Sequence, residues 1–552
     1  MYKSFTCISS IIFIISITYI ECNGQNKDEV CYGEFGCFKK AQLSMDIKAE
    51  NVFGHYPDTP EKINAKFHVF SCHDRYNPTI LPYNVTEKDF HNLNYDPKKR
   101  TIFIIHGYVD YYTQFKWMGD LKDLILRAKP CSLNVIVVDW RGGSMNVDYL
   151  QSSSNTRLVG AMIAKFIEKM NNVYKTDNDH YTIMGHSLGG QISGFTGKHL
   201  RNPKARLILG LDPAGPAFND VSEDGRLVPD DAKLVVSIHT NGGKNVLDGF
   251  GTLNPSGHYN FFPNGGETQP GCNPVSGIAA PLTKGAYEGF QMTVACSHLF
   301  VAYKLMKYDE SKDDDFESMG YRCKNYEAFK AGHCGNCREG SDDCKPFGRW
   351  FDWWQTQSLS KEWREPIIYY IDTQKDQPLS YFFYQIKLRT GSPFPTFDGR
   401  LSMNITGSLR NDFSENILMD RKFEPNKEYT YLYKSRKSLG RIESAYVTLT
   451  NKVLPKVVAV SMDKAITAIP ELNSEVTSAD LPSLIKSRII VEEIQFNYLN
   501  GYSESKRHSL SSVLRSRNGP VQVTNKDVTH FPKLKSFNNI EIKLIINETH
   551  VG

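Results

Sequence analysis

Between residues 100 and 245, short β-branched runs alternate with helical stretches, and few folds accommodate that rhythm. The strand candidates are Thr101–Ile105, Asn134–Val138, Tyr181–Met184, Leu207–Leu211 and Leu234–Ile238. Each is compact, apolar and bounded by turn residues, as strands buried in a parallel sheet are. Between the second and third, a helix from about Asn155 to Asn172 places Leu158, Val159, Met162, Ile163, Phe166, Ile167 and Met170 on one stripe. This alternation predicts an α/β fold with a mainly parallel sheet covered by helices. Ligand sites in such folds lie at the carboxyl ends of the strands.

After about residue 375 the texture changes. Short strands such as Tyr381–Leu388, Glu428–Tyr433 and Ala445–Thr450 follow one another across turns, mostly without a crossover helix. That pattern predicts an antiparallel β-sandwich. A chain of 552 residues exceeds one ordinary core, so the expected division is a leader over 1–24, a catalytic α/β domain over 25–374 and a sandwich over 375–552. Glu471–Ser483 reads as a polar loop and Lys307–Phe316 as a solvated charged segment. Hydrophobic content of 40% and charged content of 23% exclude a disordered chain. A net charge of +4 gives no field that would favour nucleic acid.

The leader opens with Lys3 and an apolar run of 13 residues from Ile8 to Ile20, followed by Cys22-Asn23-Gly24. The run is short for a bilayer span, and the layout is that of a secretory signal cleaved near Gly24; the competing reading is a membrane anchor. Twelve cysteines include Cys7 and Cys22 in the leader, leaving ten in the mature chain. An even count in a secreted protein reads as disulfides. Sequons at Asn84, Asn404 and Asn547 are candidate glycosylation sites.

The chemistry concentrates at Gly185-His186-Ser187-Leu188-Gly189. By composition alone a chain of this length yields about 0.2 such Gly-x-Ser-x-Gly matches. Its position after the strand Tyr181–Met184 and before a helical run makes it a strand–serine–helix turn, where small neighbours relieve crowding around a strained nucleophile. A serine needs a base, and the base a carboxylate, in chain order serine, acid, histidine. Asp212 ends the next strand and is the candidate acid; Asp139 also ends a strand but precedes Ser187. His239, His258 and His298 compete for the base, and pattern alone leaves them level. The oxyanion hole should use the amide of Leu188 and a second amide after Ile105-His106-Gly107, for which Tyr108 is the candidate.

Several stretches resemble the pancreatic lipase family, which includes the lipoprotein, hepatic and endothelial lipases. They are VCYGEFGCF (Val30–Phe38), IHGY (Ile105–Tyr108), VDWRGGS (Val138–Ser144), GHSLGG (Gly185–Gly190), GLDPA (Gly210–Ala214), IHT (Ile238–Thr240), FFPNGG (Phe261–Gly266) and ACSHL (Ala295–Leu299). They keep the family order across residues 29 to 345, and the tail resembles, less sharply, the family's lipid-associated β-sandwich, called PLAT.

The resemblance implies an α/β-hydrolase in which Ser187 is nucleophile, Asp212 orienting acid and His298 general base, with Tyr108 and Leu188 at the oxyanion hole. It implies a lid of 23 residues closed by Cys272 and Cys296, of a length similar to the triacylglycerol lipases, and the pairs Cys31–Cys37, Cys323–Cys334 and Cys337–Cys344. Cys72 and Cys131 match no family position and by elimination pair with each other. Glu223–Asp231 resembles the family's structural calcium loop: carbonyls of Glu223, Arg226 and Val228 with carboxylates of Asp230 and Asp231 would supply the oxygens a hard cation needs. Some members carry an acid where this chain has Val228, and an acidic turn without metal is an equal reading. The chemistry itself requires no cofactor. The implied function is triacylglycerol hydrolysis at a lipid–water interface, with a phospholipase, a lipoprotein-type lipase and a noncatalytic lipid carrier as rivals. An activator protein is a possible partner. The basic clusters Lys434–Lys437 with Arg441, and Lys506–His508, would suit an acidic polysaccharide or anionic lipid, although such runs are usually solvated strand ends.

Overall fold

A computed structural model describes most of residues 28–532. The first 27 residues, the stretches 44–53, 273–294, 304–317, 348–362, 452–487, 501–506 and 533–552, and shorter runs elsewhere lie outside the described residues. The leader, Asn547 and the segments 307–316 and 471–483 therefore lie outside them.

A small antiparallel hairpin of β1 (Glu29–Cys31) and β2 (Cys37–Lys39) opens the fold. The main sheet takes β3 (Lys66–Phe70), β4 (Thr79–Pro82), β5 (Arg100–Ile105), β6 (Leu133–Asp139), β7 (Tyr181–His186) and β8 (Leu207–Leu211). It continues with β9 (Leu234–Ile238), β10 (Tyr259–Pro263), β11 (Met319–Arg322), β12 (Cys344–Pro346) and β13 (Ile367–Ile371). The order across the sheet is β12-β11-β13-β10-β9-β8-β7-β5-β6-β3-β4. Every pairing from β13 through to β6 is parallel, as the alternation predicts. Antiparallel pairs, β3–β4 on one side and β11–β12 on the other, close the edges.

Helices cover both faces because successive strand residues point opposite ways. Phe103 and Ile105 join the core beneath α4 (Tyr149–Tyr174) and α5 (Leu188–His199). Ile102 and Ile104 join a second core with Trp117, Met118 and Leu121 of α2 (Lys116–Ala128). The earlier short helices are α1 (Pro60–Ile63) and α3 (Arg141–Ser144); the later ones, numbered here α6 (Cys296–Tyr303) and α7 (Tyr326–Lys330), follow β10 and β11. α4 starts six residues before the expected Asn155, because the Asp148 carboxylate caps it by accepting the Leu150 N–H at 2.9 Å. It crosses α5 closely: a Cβ on Gly160 would lie 2.6 Å from Cβ of Phe195.

The later strands are β14 (Phe382–Thr390), β15 (Phe397–Gly407), β16 (Arg410–Phe423), β17 (Glu428–Ser435) and β18 (Ile442–Asn451). They are followed by β19 (Arg488–Tyr498), β20 (Ser512–Arg515), β21 (Val521–Thr524) and β22 (Val528–Pro532). One antiparallel sheet runs β17-β14-β19-β20 with β21 also on β19, the other β16-β15-β18-β22. Ile386 and Leu388 from the first share a core with Leu401, Met403 and Ile405 from the second, which is sandwich packing.

His258 locks the right-hand part of the main sheet. Its Nδ1 accepts the Val235 N–H and its carbonyl accepts the Ile367 N–H, both at 2.9 Å, joining β9 and β13 around β10. Burial pushes this imidazole down to about 4. The unfolded chain takes up the proton near the ordinary histidine value and the folded chain only near 4. Stability therefore falls as pH drops through that interval, by up to about 1.4 kcal/mol per pH unit. His258→Asn keeps an acceptor for Val235 and should show a shallower fall in melting temperature between pH 6 and 4 than the parent; equal slopes would exclude His258 as the source.

Candidate active site

The strand β7 ends in a sharp turn that puts Ser187 at φ 59°, ψ −123°, a conformation that non-glycine residues adopt only where the surroundings enforce it. Enforcement is visible on every side. Ser187 N–H donates to the Leu211 carbonyl at 3.1 Å, and its own carbonyl accepts from Gly190 and Ala214 at 2.9 and 3.1 Å. A Cβ on Gly185 would strike the Gly189 carbonyl at 1.9 Å, and one on Gly189 the Ile105 carbonyl at 2.3 Å. Both glycines of the motif are therefore required by space. Leu188 opens α5, where first-turn amides have no partner within the helix.

Asp212 follows β8 and is wholly buried. Its Oδ1 accepts the Thr240 and Asn241 amides at 2.7 and 3.1 Å, and its Oδ2 lies 2.6 Å from His298 Nδ1. A carboxylate only accepts, so Nδ1 carries the hydrogen and Nε2 is left as a base. The other two histidines are engaged elsewhere. His239 is stacked on Phe262 at 4.4 Å with both ring nitrogens held by Thr252 and Asn260, and His258 serves the sheet. Asp139 is committed to Arg141 and His106. Of the three histidines, His298 is the one hydrogen-bonded to Asp212.

Ser187, His298 and Tyr108 line one cavity of about 150 Å³, with Gly107, Tyr149 and Phe250. Among the described residues the Ser187 hydroxyl forms no hydrogen bond to His298; such contacts commonly tighten only with substrate bound. The Tyr108 loop is fixed from behind. Val109 N–H donates to the Ser144 carbonyl at 3.1 Å, the Ser144 hydroxyl donates to the Asp110 carbonyl at 2.9 Å, and the Tyr108 hydroxyl bonds the Asn146 carbonyl at 2.8 Å. Such a site can carry out acyl transfer from an ester.

The model of the Lipase family matches residues 28–378. The chain belongs to the pancreatic lipase family. It is 31% identical over 445 residues to a pancreatic triacylglycerol lipase of Myocastor coypus, covering 79% of this chain and 92% of that protein. It is 35% identical over 360 residues to pancreatic lipase-related protein 2 of Rattus norvegicus, covering 63% and 72%. An inactive pancreatic lipase-related protein 1 of Canis lupus familiaris is 30% identical over 432 residues, covering 77% and 87%. The family therefore includes a member named as inactive, and the site residues have to carry the functional reading.

Four of the disulfides implied by the family resemblance are formed: Cys31–Cys37, Cys272–Cys296, Cys323–Cys334 and Cys337–Cys344. The pairing of Cys72 with Cys131, expected by elimination, is not among them: Cys72 carries a free thiol 3.6 Å from the Lys99 ammonium, and Cys131 lies outside the described residues. The loop that Cys272 and Cys296 enclose, expected to be the lid, also lies outside them. Asn84 and Asn404 are exposed, as glycosylation requires.

The calcium expectation does not fit the residues. Asp231 Oδ1 is held by the Lys198 ammonium at 2.6 Å, and its Oδ2 accepts the Val228 N–H at 2.9 Å. Asp230 is paired with Lys204. Two ammonium groups occupy the carboxylates that a cation would need, Val228 is buried and apolar, and Glu223 and Arg226 could offer carbonyls alone. The basic clusters are also partly spent. Lys434 is paired with Asp372 at 2.7 Å, and Arg507 is buried with its guanidinium on the Cys337 carbonyl; Arg436 and Lys437 are exposed to solvent.

Sequence reasoning missed His186, Asp110 and Gly251, which touch the site through space. A Cβ on Gly251 would lie 2.4 Å from Asp212 Oδ1. Asp110 lines the cavity, accepts the Trp117 indole N–H at 3.0 Å and is pushed up to about 6 by burial. Its only sequence signal is its place two residues beyond Tyr108.

Two expectations follow from these contacts. A Cβ on Gly107 would lie 2.6 Å from Ser187 Cβ, so Gly107→Ala should lower esterase turnover by about 10²-fold with little change in melting temperature; turnover near the parent value would mean the close approach is dispensable. Chelation with EDTA should leave the melting temperature unchanged, whereas Lys198→Met, which strands the buried Asp231 charge, should cost about 3–5 kcal/mol. A drop on chelation that added calcium reverses would restore the metal site.

Proposed function

We propose that this chain is a secreted serine esterase that hydrolyses triacylglycerol esters at a lipid–water interface. The observation that carries the reading is the buried Asp212 carboxylate 2.6 Å from Nδ1 of His298, whose side chain lines the same cavity as Ser187. In this scheme Asp212 holds His298 with its hydrogen on Nδ1, and Nε2 takes the Ser187 proton as Oγ attacks the ester carbonyl carbon. The amides of Leu188 and Tyr108 take the developing oxyanion. His298 then gives its proton to the departing alcohol, and water repeats the sequence on the acyl-enzyme. Donors fixed in advance at such a position contribute about 10²–10³ each to turnover, which gives the clamped Tyr108 loop and the rigid elbow a chemical purpose.

Substrate class rests on the relatives named as triacylglycerol lipases and on an expected lid of matching length. The sandwich over 375–552 is taken as the PLAT-like domain that seats the catalytic domain, 25–374, on lipid. Secretion is supported by the signal-like leader over 1–24, the four disulfides and the two exposed sequons; no helix among the described residues is long and apolar enough to cross a membrane.

Purified protein should hydrolyse triolein emulsion faster than phospholipid vesicles, and Ser187→Ala should lose at least about 10³-fold of that activity. A serine-reactive organophosphate should label Ser187. Preference for vesicles would transfer the reading to a phospholipase. Equal activity of Ser187→Ala would overturn Ser187 as the nucleophile, and no activity with no labelling in the presence of lipid would leave a noncatalytic lipid carrier.

A further inference from the structure

His186 precedes the nucleophile, yet none of the steps above uses it. It is the last residue of β7 and is 3% exposed. Its ring centroid lies 4.6 Å from that of His298, and its Nε2 lies 2.9 Å from the His298 carbonyl oxygen. A carbonyl only accepts, so Nε2 carries the hydrogen and His186 is the donor. Trp117, whose indole N–H is tied to Asp110, makes a T-shaped contact with the same ring at 5.7 Å between centroids. Burial lowers His186 to about 3, so it stays a neutral donor across the working pH range.

The start of α6 has three other moorings: the Cys272–Cys296 disulfide, the Ser297 hydroxyl accepting the Gln269 N–H at 3.0 Å, and His298 Nδ1 on Asp212. The first two tie the helix to the segment after β10, and the third ties it to the end of β8. His186 supplies the tie to the strand that bears Ser187. We propose that His186 is a positioning residue that sets the general base against the nucleophile by donating to the His298 main-chain carbonyl. This rests on the reading of Ser187, Asp212 and His298 as the catalytic triad.

Two replacements separate the donor from the packing. His186→Gln keeps an N–H at the place of Nε2, the same number of bonds from Cα, whereas His186→Phe keeps a ring and loses the donor. For esterase activity on a soluble p-nitrophenyl ester, His186→Phe should lower kcat on the order of 10²-fold with KM little changed, and His186→Gln should recover most of that loss. Equal kcat for His186→Phe and the parent, or a His186→Gln as impaired as His186→Phe at parental melting temperature, would overturn the assignment. If either variant fails to fold, the unmodified protein decides. Labelled with ¹⁵N-histidine, it should show a protected His186 Nε2–H that does not titrate between pH 5 and 8, and an Nδ1–H tautomer or a titrating ring there would overturn it. A parent protein without Ser187-dependent esterase activity fails at the triad reading; an active parent indifferent to His186→Phe fails only here.

Discussion

A wholly buried carboxylate at Asp212 organises the site and much of the fold around it. An ion of this kind is tolerated in a low-dielectric interior only if donors replace the lost water, and an unpaired one costs several kcal/mol. Here three donors do so: the amides of Thr240 and Asn241 and the Nδ1–H of His298. Those groups come from the turn after β9 and from α6, and Gly251 must pass within touching distance, its missing Cβ leaving room for Oδ1. Four stretches far apart in sequence are thereby drawn to one point at the carboxyl edge of the sheet. The residue itself bends to suit, at φ 44°.

The elbow at Ser187 is the complementary constraint. Its left-handed backbone would relax if its surroundings allowed, but the β8 carbonyl of Leu211, the amide of Ala214 and the glycine contacts of the turn hold it. The strain is therefore met by the same parallel pairing of β7 with β8 that sets Asp212 one strand away. Ser187 and Asp212 are registered against each other by sheet geometry, so His298 is the one member of the proposed triad whose place must be fixed by side chains and a disulfide.

That division explains how much could be read from the sequence. Strands β8 and β9 match their expected bounds to the residue, because a strand buried on both faces writes itself as a nearly continuous apolar run. The edge pairs β3–β4 and β11–β12 left no such mark: β4 is mostly exposed and β12 is three residues long. Ser187 and Asp212 were legible because each ends a strand. His298 was separable from His239 and His258 only through family resemblance, since its partner lies 86 residues away. Lys198 and Lys204 show the opposite case. The acidic loop resembles a calcium loop, with a metal-free turn as an equal reading, and the groups that neutralise it sit on and just beyond α5, 33 and 26 residues earlier. Local patterns carry the sheet and the motif; charge balance is settled by neighbours that the pattern does not show.

His186 and His298, which line the same cavity as Ser187, make the same point in chemical terms. Their rings are 4.6 Å apart, and two cations at that distance would repel by about 4 kcal/mol at an effective dielectric constant near 20. The fold avoids this by giving identical side chains different partners. His298 meets a carboxylate through Nδ1, so its hydrogen sits there and Nε2 is bare; an imidazolium formed during catalysis would be balanced by Asp212. His186 meets a neutral carbonyl through Nε2 and has no carboxylate partner among the described residues, so burial drives it to the uncharged form. His186, held neutral by burial, therefore places no like charge beside His298. That asymmetry follows from which oxygen each ring faces, a carboxylate from the end of β8 or a carbonyl from the first turns of α6.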